Sequence, residues 1–519
     1  MVNASRDRAV RAIDWTGEHV VTRVHTVRRR MDMAMLRGQA RLESPRVDRY
    51  FPWFLAALAW LVFSFLALTR LRDLGLPQDL GHYLQALHLL ENGVAPQISD
   101  FGMNLFAVQA AFIFVPIIWL TRLFPPAETM LVLQAFALAL AVVPLWRITR
   151  QPGNLRIGAA GALVAAYFFH PSVQNLNLAG FHPEAFALPA LLAAYLQGQK
   201  ERWWVVSLLA FLVVVARSDL GLAVMALGLV FVGEERRNPG WFLASFGLLW
   251  FLIMGFFIQP LMGLGEYPHL VEFAAYGDGV FGVIGGMLVH PLVVLGDLFE
   301  RSSFEKVMLL VAPVLFLPLV RMRYIAPVLP LLAFFLLADV SSGGRGNPEQ
   351  DVAILPFVFI AATYALMRIG QPGVRRVLVD RRVLAVLALT ATMFFVRDAA
   401  SSPYEEPWNW GERDAADLAR FEAINEIDDY DRVLAHPAIF NLVAERETIR
   451  SLPLRDTSGG PYLPSEDMVA GIDVVVFDGQ ATRWPVPDRK VFGEALRVLG
   501  FDETFTDEGI RVFVRHSES

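Results

Sequence analysis

Between residues 51 and 397 the chain alternates long apolar runs with short Gly, Pro and Arg punctuation; the runs 54–68, 130–145 and 309–320 contain no charged residue. Segments of this kind predict membrane-crossing helices. The pattern places spans near 51–69, 128–146, 157–172, 184–198, 203–217, 219–233, 241–260, 304–320, 324–339, 352–367 and 382–397. Several fall short of the roughly 20 residues that a perpendicular helix needs, so those are expected to be broken, tilted or capped by buried loops. A further stretch, 105–124, is apolar enough to cross yet interrupted by Pro116. Beyond residue 400 the pattern becomes that of a small α/β domain. There, 413–427 and 490–499 read as helices, the second closed by Gly500, with 471–478 a buried strand and 510–514 a terminal one.

Composition agrees with a polytopic membrane protein. Of the 519 residues 55% are hydrophobic and 18% charged, against about 25% charged in soluble domains. A soluble enzyme is thereby excluded. The absence of Cys excludes disulfides, thiolate metal sites and a Cys nucleophile.

The net charge of -6 conceals three zones. Residues 1–50 hold eleven Arg against six Asp/Glu, including Arg28-Arg29-Arg30. The stretch is too long and too charged for a signal-peptide n-region and is expected to be retained, as a helix on anionic headgroups rather than a nucleic-acid arm. Residues 51–399 form the transmembrane domain, and 400–519 the acidic domain, with 12 Lys/Arg against 24 Asp/Glu.

Charge also arbitrates topology, because basic residues are retained on the cytoplasmic side. If 105–124 does not span, the 33 Lys/Arg before residue 400 divide 25 inside and 8 outside; if it spans, 17 and 16. The first division gives about 11 spans, a cytoplasmic N-terminus, a long outer loop at 70–127 and an extracytoplasmic C-terminal domain. The expected location is the cytoplasmic (inner) membrane.

That outer loop carries Asp73, Asp79, His82, His88, Glu91 and Asp100. Glu91-Asn92-Gly93 reads as a helix end, and Asp73 and Asp100 as ordinary surface carboxylates. Asp79 stands out, although Pro77-Gln78-Asp79-Leu80 also fits an N-cap for a helix over 80–90. Ionisable residues at span ends are functional candidates by default. One cluster is Phe169-His170-Pro171 followed by Gly180-Phe181-His182-Pro183-Glu184, with Asn175 and Asn177 between; the other is Arg217-Ser218-Asp219. Both fall on the side of Asp79. Purely structural accounts exist for each: an ion pair for Arg217 and Asp219, and a helix start for His182-Pro183-Glu184. Metal ligation by His182 and Glu184 has no diagnostic spacing. No P-loop, dinucleotide glycine fingerprint or Gly-x-Ser-x-Gly elbow occurs.

Asp79-Leu80-Gly81-His82-Tyr83-Leu84-Gln85-Ala86-Leu87, then Leu133-Gln134-Ala135, Phe181-His182-Pro183-Glu184, Arg217-Ser218-Asp219 and His290-Pro291 follow in order the pattern of a prokaryotic membrane family, domain-of-unknown-function family 2079. The resemblance covers roughly residues 55–370. That family in turn resembles the GT-C glycosyltransferases, multi-span enzymes with a catalytic Asp in a long first outer loop and often an outer C-terminal domain. The chain departs from the family at Gly180, where Asp is usual, and at Arg217-Ser218-Asp219, where Lys-Glu-Asp is usual. It also has Gly102-Met103-Asn104 in place of a His-containing segment and Glu349-Gln350-Asp351 in place of a Tyr/His-rich string.

The resemblance implies a mainly α, GT-C-like protein that transfers a sugar from a polyprenyl-phosphate donor to an envelope glycan, lipid or protein. Asp79 would be the catalytic base, with His82, His170, His182, Glu184, Arg217 and Asp219 holding substrate; no metal site is assigned and no nucleic-acid partner is expected. Two other classes remain open at this point: a lipid or polymer transporter, and a non-catalytic scaffold whose outer domain binds an envelope partner.

Overall fold

The computed structural model describes residues 43–263, 265–341, 348–373, 376–404, 412–453, 463–482 and 486–516. The basic run at 28–30 lies outside them. The chain is mainly helical, with a mixed sheet near its C-terminus. The first long helix, Pro45–Arg72, starts where a helix should: Ser44 accepts the Val47 N–H at 3.3 Å and Pro45 occupies the first turn. It packs against Pro126–Leu140 and Val142–Arg150. An ion cluster fastens one end of this pair, where the buried Arg150 donates to Asp48 at 2.6 and 3.0 Å.

Among the described residues four helices are long and apolar enough on their own to cross a bilayer: Pro45–Arg72, Pro126–Arg150, Arg237–Met262 and Pro268–Val289. The other expected spans correspond to shorter or broken pieces. The stretch at 309–320, for instance, breaks at Leu315 and Phe316, both left-handed. Pro268–Val289 is the one the pattern did not single out. It is a 3-10 segment, Pro268–Tyr276, joined through Gly277 at φ +149° to the helix Gly279–Val289. Leu105 to Phe124 is not one helix either. It divides into Leu105–Val108 and Phe114–Thr121 around Ala110 at φ +51°. At 1.5 Å per residue, eight residues cover about 12 Å of a hydrocarbon core of about 30 Å.

The loop after the first helix begins with a buried helix, Asp79–Glu91, ended by Asn92 and by Gly93 at φ +73°. Gly supplies that left-handed turn without a Cβ clash. A hairpin follows, β1 (Gln97–Ile98) with β2 (Met103–Asn104).

In the C-terminal domain the helix Ala415–Ile424 opens with a capping box between Asp414 and Asp417. The sheet contains β3 (Val433–Ala435), β4 (Ile449–Ser451), β5 (Val474–Asp478), β6 (Phe501–Asp507) and β7 (Ile510–Arg515) in the order β4-β3-β5-β7-β6. Strands β3, β4 and β5 run parallel, while β7 pairs antiparallel with β5 and β6. All five β5 residues are buried: four are apolar, as a central strand between two neighbours requires, and the last, Asp478, accepts from Arg420 at 2.8 Å.

Within the apolar body, Gly221–Gly233 and Arg237–Ile253 approach backbone to backbone. A Cβ on Gly228 would run into the main chain of Gly240 and Ala244, and one on Gly247 into the Gly221 carbonyl oxygen. Small residues permit this approach where lipid gives no hydrophobic drive to associate. Gly228→Leu is therefore expected to lower stability by about 1–3 kcal/mol or more through overpacking, read as a depressed melting midpoint of the purified protein in detergent. Gly233→Ala, with no atom within 4 Å of the added Cβ, is expected to melt like the parent.

Candidate active site

Asp79 is the first residue of its helix. Gln78 occupies the N-cap position, so Asp79 is not the cap, and its side chain is 52% exposed. One turn on, the buried His82 shares its face. Its Nδ1 lies 3.9 Å from Asp79 Oδ1 and its Nε2 2.9 Å from Asp100 Oδ2. Asp100 is thus no ordinary surface carboxylate: its second oxygen accepts the Ser451 N–H at 2.9 Å. The neighbouring Tyr83 hydroxyl donates to the Gln109 side chain.

Gln134, fully buried, sets the second wall. Its amide donates to the carbonyls of Leu176 and Gly180 at 2.8 Å each, and its oxygen accepts the His182 N–H at 2.6 Å. His182 makes no side-chain cap to the 3-10 turn Pro183–Phe186; its ring lies between Glu184, with Nδ1 3.5 Å from Oε1, and the Ala179 carbonyl, 3.1 Å from Nε2. Arg217 completes the group. Its Nε and Nη2 donate to the two oxygens of Asp219 at 2.7 and 2.9 Å, and its Nη1 to Glu184 Oε1 at 2.8 Å. The ion-pair account of Arg217 and Asp219 therefore holds, and the pair extends into a buried chain with Glu184. A guanidinium has five N–H donors, so two stay available beyond these three. Glu184 Oε2 is buried and has no hydrogen-bond partner among the described residues.

Asp79, His82, His182, Glu184, Arg217 and Asp219 line a single cavity of about 170 Å³, many times what one water needs. His170 does not reach it. That residue is fully buried; Nδ1 accepts the Ser172 N–H at 3.3 Å, capping Pro171–Leu178, and Nε2 meets the Leu310 carbonyl at 3.3 Å. Its role is structural, because a His-Pro start supplies an acceptor to the first free N–H of a helix.

The cavity also recruits residues that sequence reasoning passed over, Tyr267, His269 and Glu272 on one side and Phe334 and Phe335 on another, together with Glu349 and Gln350, which the sequence marked only as a departure from the family pattern. His269 Nδ1 lies 2.8 Å from Glu272 Oε1 and Nε2 3.1 Å from the Val108 carbonyl. The signal was present, since Tyr267-Pro268-His269 with Glu272 repeats the Pro, His and Glu grouping of 182–184 just after an apolar run. Among the described residues no group of three or more His, Asp or Glu stands where it would hold a metal.

The lining is acidic, with Asp79, Glu184, Asp219, Glu272 and Glu349 facing Arg217. Burial alone would depress the pKa of His182. The hydrogen bond and charge of Glu184, with Glu349 and Asp79 beyond, outweigh it and raise the ring to about 9. His182 is therefore a second cation at neutral pH. The site can thus accept hydrogen bonds from hydroxyls at several carboxylates, offer an exposed base at Asp79, and present two cations to one anionic group.

The fold resembles that of GT-C-type membrane enzymes. Over 89% of its length the chain is similar to arabinofuranosyltransferase AftD from Mycobacteria, at 14% identity and a TM-score of 0.50, and it spans about 40% of that chain. ArnT from Cupriavidus metallidurans bound to undecaprenyl phosphate is similar over 90% of this chain and 99% of its own, at 12% identity and a TM-score of 0.49. The protein belongs to the family of predicted membrane proteins DUF2079, whose model matches residues 74–494. No curated protein sequence matches it significantly.

The raised pKa of His182 has a consequence for stability. A group whose folded pKa exceeds its ordinary value near 6.5 stabilises the fold fully below that value, and the contribution is lost as pH rises through about 9. Thermal stability is expected to fall over that window, and His182→Gln to flatten the fall. An unchanged slope in the variant would refute the assignment.

Proposed function

We propose that the protein is an inverting glycosyltransferase that moves a sugar from a polyprenyl-phosphate donor to an envelope acceptor at the outer face of the cytoplasmic membrane. The observation that carries this reading is the convergence of Asp79, His182, Glu184 and Arg217 on one cavity, from segments separated by up to 138 residues (79 to 217) in sequence. The GT-C-like fold supports the reaction class.

In this mechanism Asp79, exposed and held by no short side-chain bond, takes the proton from the acceptor hydroxyl as that oxygen attacks the anomeric carbon. The bond from that carbon to the phosphate oxygen breaks on the opposite side. The departing phosphate is met by the two remaining N–H groups of Arg217, and the charge of protonated His182, whose ring nitrogens face Glu184 and the Ala179 carbonyl, adds to the attraction. Glu184 Oε2 and the other carboxylates accept from sugar hydroxyls, and Tyr267, Phe334 and Phe335 provide apolar walls.

The topology belongs to the same proposal: eleven spans, a cytoplasmic N-terminus, and domain limits at 50 and 399. Segments 79–109, 182–184, 217–219, 267–272 and 349–350, all lining the cavity, are those that the charge distribution assigns to the outer side. The segment from residue 268 to 298 then lies in the outer leaflet. It leaves Phe281 91%, Leu288 76% and Leu292 81% exposed and packs on Leu329–Ser341, the helix of Phe334. Such a border between lipid and cavity suits lateral entry of a polyprenyl tail.

Purified protein in nanodiscs, given radiolabelled polyprenyl-phosphate sugars, tests the assignment. Asp79→Asn is expected to reduce kcat about 10²–10⁴-fold. Full transfer by that variant would sink the base assignment. Arg217→Lys keeps a charge but loses the fork that grips Asp219, and is expected to lower kcat with phosphate departure.

A further inference from the structure

The helix that carries Asp79 has no side-chain cap of its own, although the first N–H groups of any helix need partners. One of them is met from 360 residues away: Asn441 Oδ1 accepts the Gly81 N–H at 2.8 Å, which the Gln78 carbonyl shares. The Asn441 amide also donates to the carbonyls of Leu76 and Pro77 at 3.1 and 2.9 Å. It thereby ties the approach of the chain to the first turn it enters. Phe440 lies against the same turn. A Cβ on Gly81 would stand 2.5 Å from its ring, and the ring meets His82 edge-on at 5.3 Å. Ser451 supplies a third tie, with its hydroxyl on the Gln78 side chain at 2.7 Å and its N–H on Asp100, the partner of His82.

All three come from one edge of the C-terminal sheet. Phe440 and Asn441 follow the carboxyl end of β3, and Ser451 ends β4. The crevice outside the carboxyl ends of parallel strands is where an α/β sheet ordinarily receives its ligand. Here that edge is filled by the first outer loop.

We propose that the C-terminal domain is a clasp on the Asp79 helix, and that Asn441 and Phe440 are positioning residues that fix where Asp79 and His82 stand. The inference rests on the transferase reading. It assigns the domain to the base rather than to capture of the acceptor. The physical case is local. A helix that loses its N-terminal partners frays in its first turn, and Asp79 is the first residue of that turn. Simple docking of a domain would need contacts with the surface of the helix, but not hydrogen bonds to its first-turn N–H or to the carbonyls that lead into it.

The test uses the full chain in nanodiscs, with amide hydrogen exchange and transfer from a radiolabelled polyprenyl-phosphate sugar measured on the same samples. For Asn441→Ala, exchange across residues 79–83 is expected to rise about tenfold, the factor that a lost cap of ordinary strength gives. The value of kcat should fall by a similar factor while KM for the donor stays, with β3 and β5 as protected as in the parent. Asn441→Asp keeps the acceptor for the Gly81 N–H but loses both donors to the Leu76 and Pro77 carbonyls, and is expected to recover only part of both. Unchanged exchange at 79–83 overturns the clasp. So does raised exchange with unaltered kcat, or a rise confined to KM for the acceptor. Should Asn441→Ala also lose protection at β3 and β5, Phe440→Leu puts the question with the core still filled, and unchanged exchange at 79–83 there overturns the proposal equally. A parent protein that transfers no sugar overturns the transferase reading, while the exchange measurement still decides whether the domain holds the helix.

Discussion

An arginine that is 9% exposed, inside a body built of Leu, Val and Phe, is the constraint around which this structure is arranged. Arg217 cannot shed its charge, and an unpaired buried ion costs several kcal/mol. Two carboxylates must therefore come to it, and they come from different places: Asp219 from its own turn, Glu184 from the segment after residue 180. That requirement pins two interhelical turns together. Buried ion pairs are poor evidence of net stability, because desolvation consumes much of their attraction. Their breakage is another matter, since the orphaned charge then remains in the apolar body. The chain from Asp219 through Arg217 to Glu184 and His182 is thus better understood as fixing one geometry than as strengthening the fold.

From that fixed floor the rest of the cavity follows by short steps. Gln134 holds His182 by its backbone and so fixes the ring over Glu184. Gln259 does the equivalent for the other turn. Ser218 donates to its oxygen at 3.0 Å, and its amide reaches the carbonyls of Ala107 and Val108 at 2.9 and 3.0 Å. The interrupted stretch at 105–124 is in this way bonded to the Arg217 turn. A continuous helix there would have satisfied those carbonyls internally. The break at Ala110 leaves them free to bind the floor of the site.

Much of this was legible in sequence where the physics is local. Apolar runs and the C-terminal strands at 474–478 and 510–515 need only neighbours along the chain. The candidate residues were legible too, because a charge in an apolar run is conspicuous. What escaped depends on distant partners. Asp100 looked like any surface carboxylate, and only its bonds to His82 and Ser451 give it a role. His170 looked like a member of the polar cluster, since sequence cannot say that its ring turns back to cap its own helix. Strands β3 and β4 are three residues each, too short to declare a period. Asn441, which caps a helix far away in sequence, carries no local mark at all.

The departures from the family pattern also become intelligible at these distances. Gly180 stands where Asp is usual, at φ +99°, with the space for its Cβ facing the Leu80 backbone nitrogen at 3.5 Å. A side chain there would be strained by the left-handed backbone, although its Cβ would make only ordinary contact with the start of the Asp79 helix. Arg in place of Lys at 217 gives the planar fork that binds both Asp219 oxygens, which an ammonium cannot do. Ser at 218, where Glu is usual in the pattern, places a hydroxyl that donates to Gln259 at 3.0 Å. At each of the three positions the residue present suits its surroundings: glycine on a left-handed backbone at 180, a two-pronged pair at 217 and a hydroxyl bonded to Gln259 at 218.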